Sequence, residues 1–403
     1  MWAIVVALFF FQSLDYPAEG LKALEEGKYD VAVAAFQKAI DADPKDYYSH
    51  FNLAMAYSLS SKDAEAVAEY RKTLELKPGL YEAQLNEGVV LMRGKDAAGA
   101  LPLLEAASSQ KPQEFRPLYF LAEAQLATGA FDKAEGSFKA ALAIDPKSGS
   151  SELGLAHALV AQKKLAEADP HYRQAGKLDP RYHEFLLELA KFYEEVHQPE
   201  EAIKIYREFP DNAAAQERMG QLMLDNRQYK DAIPKLETAF KSAPSQANRT
   251  ALAAAYLFAG DLDQALPLLE QSVAAEPNNY DLHMMYARAL RDKKLYLKAA
   301  NEFASATKLK PADAKTWSEL GSMLYLIGDL QQALAAFDKA RDLGENTAGN
   351  WFLRAIILDK AKQLKPAVDA YQHFLALSQG KNPDQEFQAR QRVRIMEKEL
   401  EKR

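Results

Sequence analysis

Nine prolines constrain this chain more than any other feature. Pro44, Pro78, Pro112, Pro146 and Pro180 follow one another at intervals of 34 residues. A second ladder runs Pro210, Pro244, Pro277 and Pro311, at intervals of 34, 33 and 34. Proline lacks a backbone N–H and fixes its own φ, so it closes one helix and opens the next. Twelve residues before eight of the nine stands an alanine: Ala32, Ala66, Ala100, Ala134 and Ala168, then Ala232, Ala265 and Ala299. Eight residues before the same prolines stands a bulky side chain: Phe36, Tyr70, Leu104, Phe138 and Tyr172, then Leu236, Leu269 and Phe303. Positions four apart share one face of a helix. A small residue there lets two helices cross closely, and a bulky one fills the gap beside the crossing. A period of this size marks an array of like units, each unable to dry its own apolar face without its neighbour.

One unit is written out most fully between Trp317 and Ala340. Trp317, Leu320, Gly321 and Leu324 fall at helical spacing in its first half, and Ala333, Phe337 and Ala340 in its second. Gly328-Asp329 divides the halves. The unit is a helical hairpin with one wet and one dry face. Gly94, Gly129, Gly260 and Gly328 stand at or beside such turns, where a left-handed residue is wanted. Lys163-Lys164 and Asn226 stand at equivalent turns without glycine.

These residues resemble the tetratricopeptide repeat family, whose helix pair carries Trp, Leu-Gly, Tyr, Ala, Phe, Ala and Pro at set intervals. The repeat from residue 314 supplies Trp317, Leu320, Gly321, Ala333, Phe337 and Ala340, with Glu345 where the last proline would stand. The repeat from residue 47 supplies Leu53, Tyr57, Ala66, Tyr70 and Pro78. The resemblance implies an all-α fold: a right-handed α-solenoid of about eleven helix-turn-helix repeats, ended by a C-terminal capping helix. The expected organisation is an apolar segment over 1–12, repeats one to six over 13–210, repeats seven to eleven over 211–380, and the capping helix over 381–403.

The phase of the ladder breaks once. Pro180 and Pro210 are 30 residues apart, about one helical turn short. The second helix of that repeat is expected to lose its last turn, with an irregularity near Phe209-Pro210. Further on, Asn382-Pro383 followed by Gln385 reads as a helix start. Val393, Met396 and Leu400 give that last helix an apolar stripe, and Arg390, Arg392, Arg394, Lys398, Lys402 and Arg403 read as its wet face.

Chemistry is sparse. With 403 residues and no cysteine, thiol catalysis, disulfides and thiolate metal sites are excluded. No pair among the seven histidines has metal-ligand spacing, and no phosphate-binding loop or nucleophile elbow occurs. The chain reads as no enzyme, with no cofactor and no metal. A formal charge of -7 argues against nucleic acid as a partner.

Recognition of a protein or peptide remains. In the family resembled, the first helices of successive repeats line a concave face that holds a peptide. The positions that would face it here are Tyr48, Phe51 and Met55, then Leu85, Val89, Met92 and Arg93, then Tyr119 and Glu123. That set is apolar for a wet face, and contiguous exposed apolar surface marks a binding site; the alternative is that these side chains bury one another. Arg288, Arg291 and Lys315 form a basic patch suited to an acidic segment. The family's chaperone adaptors clamp a carboxylate with Lys and Asn on this face; Phe51, Met55, Leu85 and Val89 stand there instead. Two functions are therefore weighed: a scaffold in bacterial cell-envelope assembly, or a regulatory or substrate-binding subunit of a separately encoded enzyme such as a glycosyltransferase.

Residues 2–11, WAIVVALFFF, are too few to span a bilayer as a helix. They read as the apolar centre of an export signal, giving an exported or periplasmic protein. The alternatives are a hydrophobic cap on the first repeat and a cytoplasmic location. Export predicts a mature chain that begins beyond this run. N-terminal sequencing of protein purified from its host checks it, and a readout of Met-Trp-Ala removes the export reading.

Overall fold

The computed structural model of the chain describes residues 15–402, so the apolar run at 2–11 lies outside the described residues. The chain divides into two compact units, the first reaching Ile205 and the second starting at Tyr206. In the first, α1 (Tyr16–Glu25) pairs with α2 (Tyr29–Ala42), and α3 (Tyr47–Leu59) with α4 (Asp63–Leu76). α5 (Tyr81–Arg93) pairs with α6 (Ala97–Gln110), α7 (Phe115–Ala127) with α8 (Phe131–Ile144), and α9 (Gly149–Ala161) with α10 (Leu165–Leu178). A 3-10 turn, Pro180–Phe185, then leads into α11 (Leu186–Glu195) and α12 (Pro199–Tyr206). In the second unit α13 (Ala213–Asp225) pairs with α14 (Tyr229–Ser242), and α15 (Gln246–Ala259) with α16 (Leu262–Ala275). α17 (Tyr280–Asp292) pairs with α18 (Tyr296–Leu309), α19 (Ala314–Leu326) with α20 (Leu330–Asp342), and α21 (Ala348–Lys360) with α22 (Leu364–Ser378). The last helix, α23 (Pro383–Glu401), packs on α22. Within each unit the second helix of one hairpin also packs on the first helix of the next, as α2 on α3 and α14 on α15. Each unit is an all-α solenoid of stacked hairpins, and no strand occurs among the described residues.

Every hairpin turn uses the same device. One residue per turn is left-handed: Gly27, Ser61, Lys95, Gly129, Lys163 and His197 in the first unit, each with φ between 58° and 80°. Arg227, Gly260, Lys294, Gly328 and Lys362 do so in the second, with φ between 58° and 87°. The N–H of the following residue then reaches back five residues, as in Lys62 to the Tyr57 carbonyl at 2.9 Å and Gln228 to the Met223 carbonyl at 2.7 Å. This bond satisfies a carbonyl that the helix end would otherwise leave open. Gly94 is not the left-handed residue expected; it has φ -75°, and Lys95 takes that role. The same holds for Asn226, whose neighbour Arg227 turns instead.

The small-and-bulky ladder forms the core. All eight alanines are fully buried, and their eight bulky partners are at most 1% exposed. At roughly 1.5–3 kcal/mol for each large apolar side chain buried, this row is a principal source of stability. Glycines mark the tightest crossings. A Cβ on Gly321 would stand 2.9 Å from the Phe337 ring of its own hairpin, and one on Gly154 would stand 2.3 Å from Phe138 of the preceding hairpin.

A polar ladder runs beside the apolar one. His50 Nε2 lies 3.3 Å from the Pro44 carbonyl and His283 Nε2 lies 3.0 Å from that of Pro277. The Trp317 indole N–H donates to the Pro311 carbonyl at 3.0 Å, from the equivalent position. Each ties the start of a first helix to the loop before it. Both histidines place Nδ1 2.6 Å from a glutamate 19 residues on, Glu69 and Glu302. Side chains at the turns also bind back to the previous hairpin: Lys62 to Asp30, Arg93 to Asp63, Lys164 to Glu135 and Lys293 to Asp263.

The break in phase lies where the sequence puts it, but its effect begins earlier. α12 has 8 residues against 14 in each earlier second helix of the unit, so the expected loss falls on it. In addition the first helix of that hairpin opens as a 3-10 turn. Asp179 accepts from the Arg181 N–H at 3.0 Å and from its guanidinium at 2.6 Å. Tyr182 lies against Gly149, where a Cβ would come within 3.2 Å of its ring.

At the C-terminus, Asn382 makes no side-chain cap on α23. Its amide donates to Ser378 Oγ at 3.0 Å, while Glu386 accepts from Ser378 Oγ and the Gly380 N–H, both at 2.6 Å. Arg392 is not part of a wet face: its guanidinium makes two 2.6 Å bonds to Asp359 of α21. Trp351, Phe352, Tyr371, Phe374 and Met396 form a separate apolar cluster joining α23 to the last hairpin. α20 and α21 touch only sparsely.

Gly154→Ala is expected to destabilise the protein by about 1–3 kcal/mol through overpacking against Phe138. Gly136→Ala, with open space around its Cβ on exposed α8, is expected to be neutral or stabilising by up to about 1 kcal/mol. Arg227→Gly, relieving a left-handed side chain, is expected to stabilise by up to about 1 kcal/mol. Urea titration of the three variants checks all three.

Candidate functional site

The first-helix positions singled out in the sequence separate into three groups. Tyr48 is exposed, and Phe51 and Met55 on the same helix are half-buried. Phe51 sets its ring edge-on to Tyr70 at 5.9 Å, so its face is already used for packing. Leu85 is 4% exposed and belongs to the core with Tyr81, Leu104 and Leu121; Val89 and Met92 rest against that cluster. Arg93 is engaged with Asp63 and with the Ser58 carbonyl. Tyr119 is half-buried, stacked on Phe115 at 5.6 Å and edge-on to Phe138 at 6.3 Å. Burial raises its phenol pKa, and the Glu123 carboxylate adds to that shift.

Glu123 is itself half-buried, and burial alone pushes its carboxyl above the ordinary carboxylate range. In the second unit Arg288 and Lys315 are exposed, but Arg291 is held by Glu319 at 2.9 Å and Asp292 at 3.0 Å. The basic patch thus loses one of its three charges to internal pairing.

An apolar opening beside this face was missed in the sequence. Consecutive first helices touch throughout the earlier hairpins, α3 with α5, α5 with α7 and α7 with α9. α9 and α11 make no comparable contact. Between them lies a cavity of about 610 Å3, walled by Val160, Ala161, Leu165, Phe192 and Val196, with His157, Lys163, Glu188 and Glu195 completing the lining. At the same hairpin a 3-10 turn takes the place of the α-helical turn that opens α3, α5, α7 and α9. The proline interval locates the shortened α12, whereas the residues after Pro180 that form the 3-10 turn carry no periodic signal.

His157 faces this cavity between aromatic edges, 5.6 Å from the Tyr172 ring and 5.8 Å from that of Phe185. Its Nε2 is buried without a hydrogen bond, 3.4 Å from Glu188 Oε2. Burial pushes the imidazole pKa down, against the opposing pull of Glu188. Beneath it the Tyr172 hydroxyl is also buried without a partner, and burial pushes its pKa up. Among the described residues no three His, Asp or Glu side chains converge as metal ligands would. No described helix is long and apolar enough to cross a membrane.

Sequence comparison agrees with this architecture. One tetratricopeptide repeat model matches residues 18–81, and a second matches 91–150, 159–223 and 256–324, together more than half of the chain. The chain is similar to the tetratricopeptide repeat and J domain-containing co-chaperone DNJ1 of Cryptococcus neoformans, 29% identical over 118 residues, 28% of this chain and 23% of that protein. It is similar to the Vi polysaccharide export protein VexE of Salmonella typhi, 33% identical over 89 residues, 22% of this chain and 14% of that one. It is also similar to the photosystem I assembly protein Ycf3 of Acaryochloris marina, 32% identical over 95 residues, 23% of this chain and 57% of that one. The chain spans less than two-thirds of the length of each of these relatives. Among solved structures it is similar to MamA MSR-1, 26% identical with a TM-score of 0.39 over 41% of this chain and 95% of that one. MamA from Desulfovibrio magneticus RS-1 is 22% identical, also with a TM-score of 0.39, over 41% of this chain and 94% of that one. With its hairpins, its period and the two repeat-model matches together, the chain belongs to the tetratricopeptide repeat family.

Proposed function

We propose that this protein is a non-catalytic scaffold that holds a segment of a partner protein along the first-helix face of its N-terminal unit. The observation that carries the reading is the cavity between α9 and α11. It is apolar, open at the surface and bordered by His157 Nε2, a buried polar atom without a hydrogen bond, a combination that suits an inserted side chain better than water. Tyr48, Met55, Tyr119 and Glu123 extend the same face towards the N-terminus. Arg288 and Lys315 offer a smaller contact in the second unit. Two relatives support the class of role, one an assembly protein and one a co-chaperone. A place in bacterial cell-envelope assembly draws on the apolar run at 2–11 and on the likeness to a polysaccharide export protein. A single catalytic protein recovered with the intact chain would instead favour a regulatory or substrate-binding subunit.

Peptides selected on the purified full chain should bind, and Val196→Glu should weaken them about tenfold or more, as loss of an interface anchor does. Leu297→Glu, an apolar position outside this face and more exposed than Val196, should leave binding unchanged. Calorimetric titration reads both. Equal effects of the two variants, or none from Val196→Glu, would remove the proposed site.

A further inference from the structure

Resting on the scaffold reading, we infer that the α9–α11 cavity takes a cationic side chain, arginine or lysine, carried on an apolar segment of the partner. Its walls and its charges suit that shape. Val160, Leu165, Phe192 and Val196 offer apolar surface on which a methylene stem can lie. Glu188 and Glu195, both on α11, border the same space.

Those two carboxylates lack a strong internal partner. Glu188 has only His157 beside it, at 3.4 Å without a hydrogen bond. The burial that lowers the His157 pKa favours the neutral ring, which leaves the Glu188 charge uncompensated. Lys164 pairs with Glu135 at 3.0 Å, Arg181 with Asp179 at 2.6 Å and Lys204 with Glu201 at 2.6 Å, while Lys191, between the two carboxylates on α11, pairs with neither. Lys163 is the sole cation in the lining, set on the turn at the far side from Glu188 in sequence. One hairpin earlier, Glu123 holds the position equivalent to His157, and no cation beside it contributes to its shifted pKa. A partner bearing a positive charge on an apolar stem therefore meets matching surface, whereas an acidic segment meets like charge.

The test uses the full chain and three short fluorescein-labelled peptides that alternate leucine with arginine, with serine or with glutamate. Fluorescence anisotropy should rank the arginine peptide about tenfold or more above the serine one, with the glutamate peptide weakest. Raising salt from about 50 to about 300 mM should narrow the gap between them. The double variant Glu188→Gln/Glu195→Gln should erase most of the preference. Glu65→Gln/Glu270→Gln, which changes net charge equally at distant exposed sites, should keep it. If the control pair lowers binding as much, or if the serine or glutamate peptide binds best, the cationic assignment is overturned while the scaffold stands. If none of the three binds, nor any selected peptide, both readings fall together.

Discussion

The left-handed residue that closes each hairpin is the constraint on which the rest of the fold depends. It reverses the chain within three residues and returns a backbone N–H to the helix just left, as from Gln228 to Met223. That reversal brings Ala32 against its first helix and Phe36 beside it, and repeats the arrangement hairpin after hairpin. A left-handed conformation costs a non-glycine residue about 1–2 kcal/mol, so the bond and the burial beyond it must outweigh that cost. They do so at Ser61, Lys95, Lys163 and Arg227, where no glycine eases the turn.

The proposed recognition surface lies at a local departure from the same repetition. From α3 to α9 successive first helices meet and apolar side chains pack there, as Leu85 does with Tyr81 and Leu121. At α11, which a 3-10 turn precedes, the contact with α9 is sparse, and His157 and Tyr172 keep buried polar atoms without a hydrogen bond. Unpaired buried polar atoms cost free energy.

Period, helix pairing, the buried rows and the capping helix were legible in the sequence, because each depends on spacing and side-chain size. Exposure of individual positions was not. Leu85 and Phe51 occupy equivalent first-helix positions, yet one is core and the other only half-buried, since burial depends on what the next hairpin brings against it. Arg291 and Arg392 read as free charges, but their partners Glu319 and Asp359 lie 28 and 33 residues away, set by stacking that no local pattern encodes. His50 and His283 carried no metal-like spacing, and their use in joining a helix start to a proline carbonyl needs the loop geometry to be seen.

The last hairpin and α23 share an apolar cluster of their own, clamped by Arg392 on Asp359, while α20 and α21 meet only sparsely. Such a block has more to hold itself together than to hold it to the neighbouring repeat. Its amides should therefore exchange with solvent deuterium as one cooperative group, through a partial opening that leaves the preceding repeats folded.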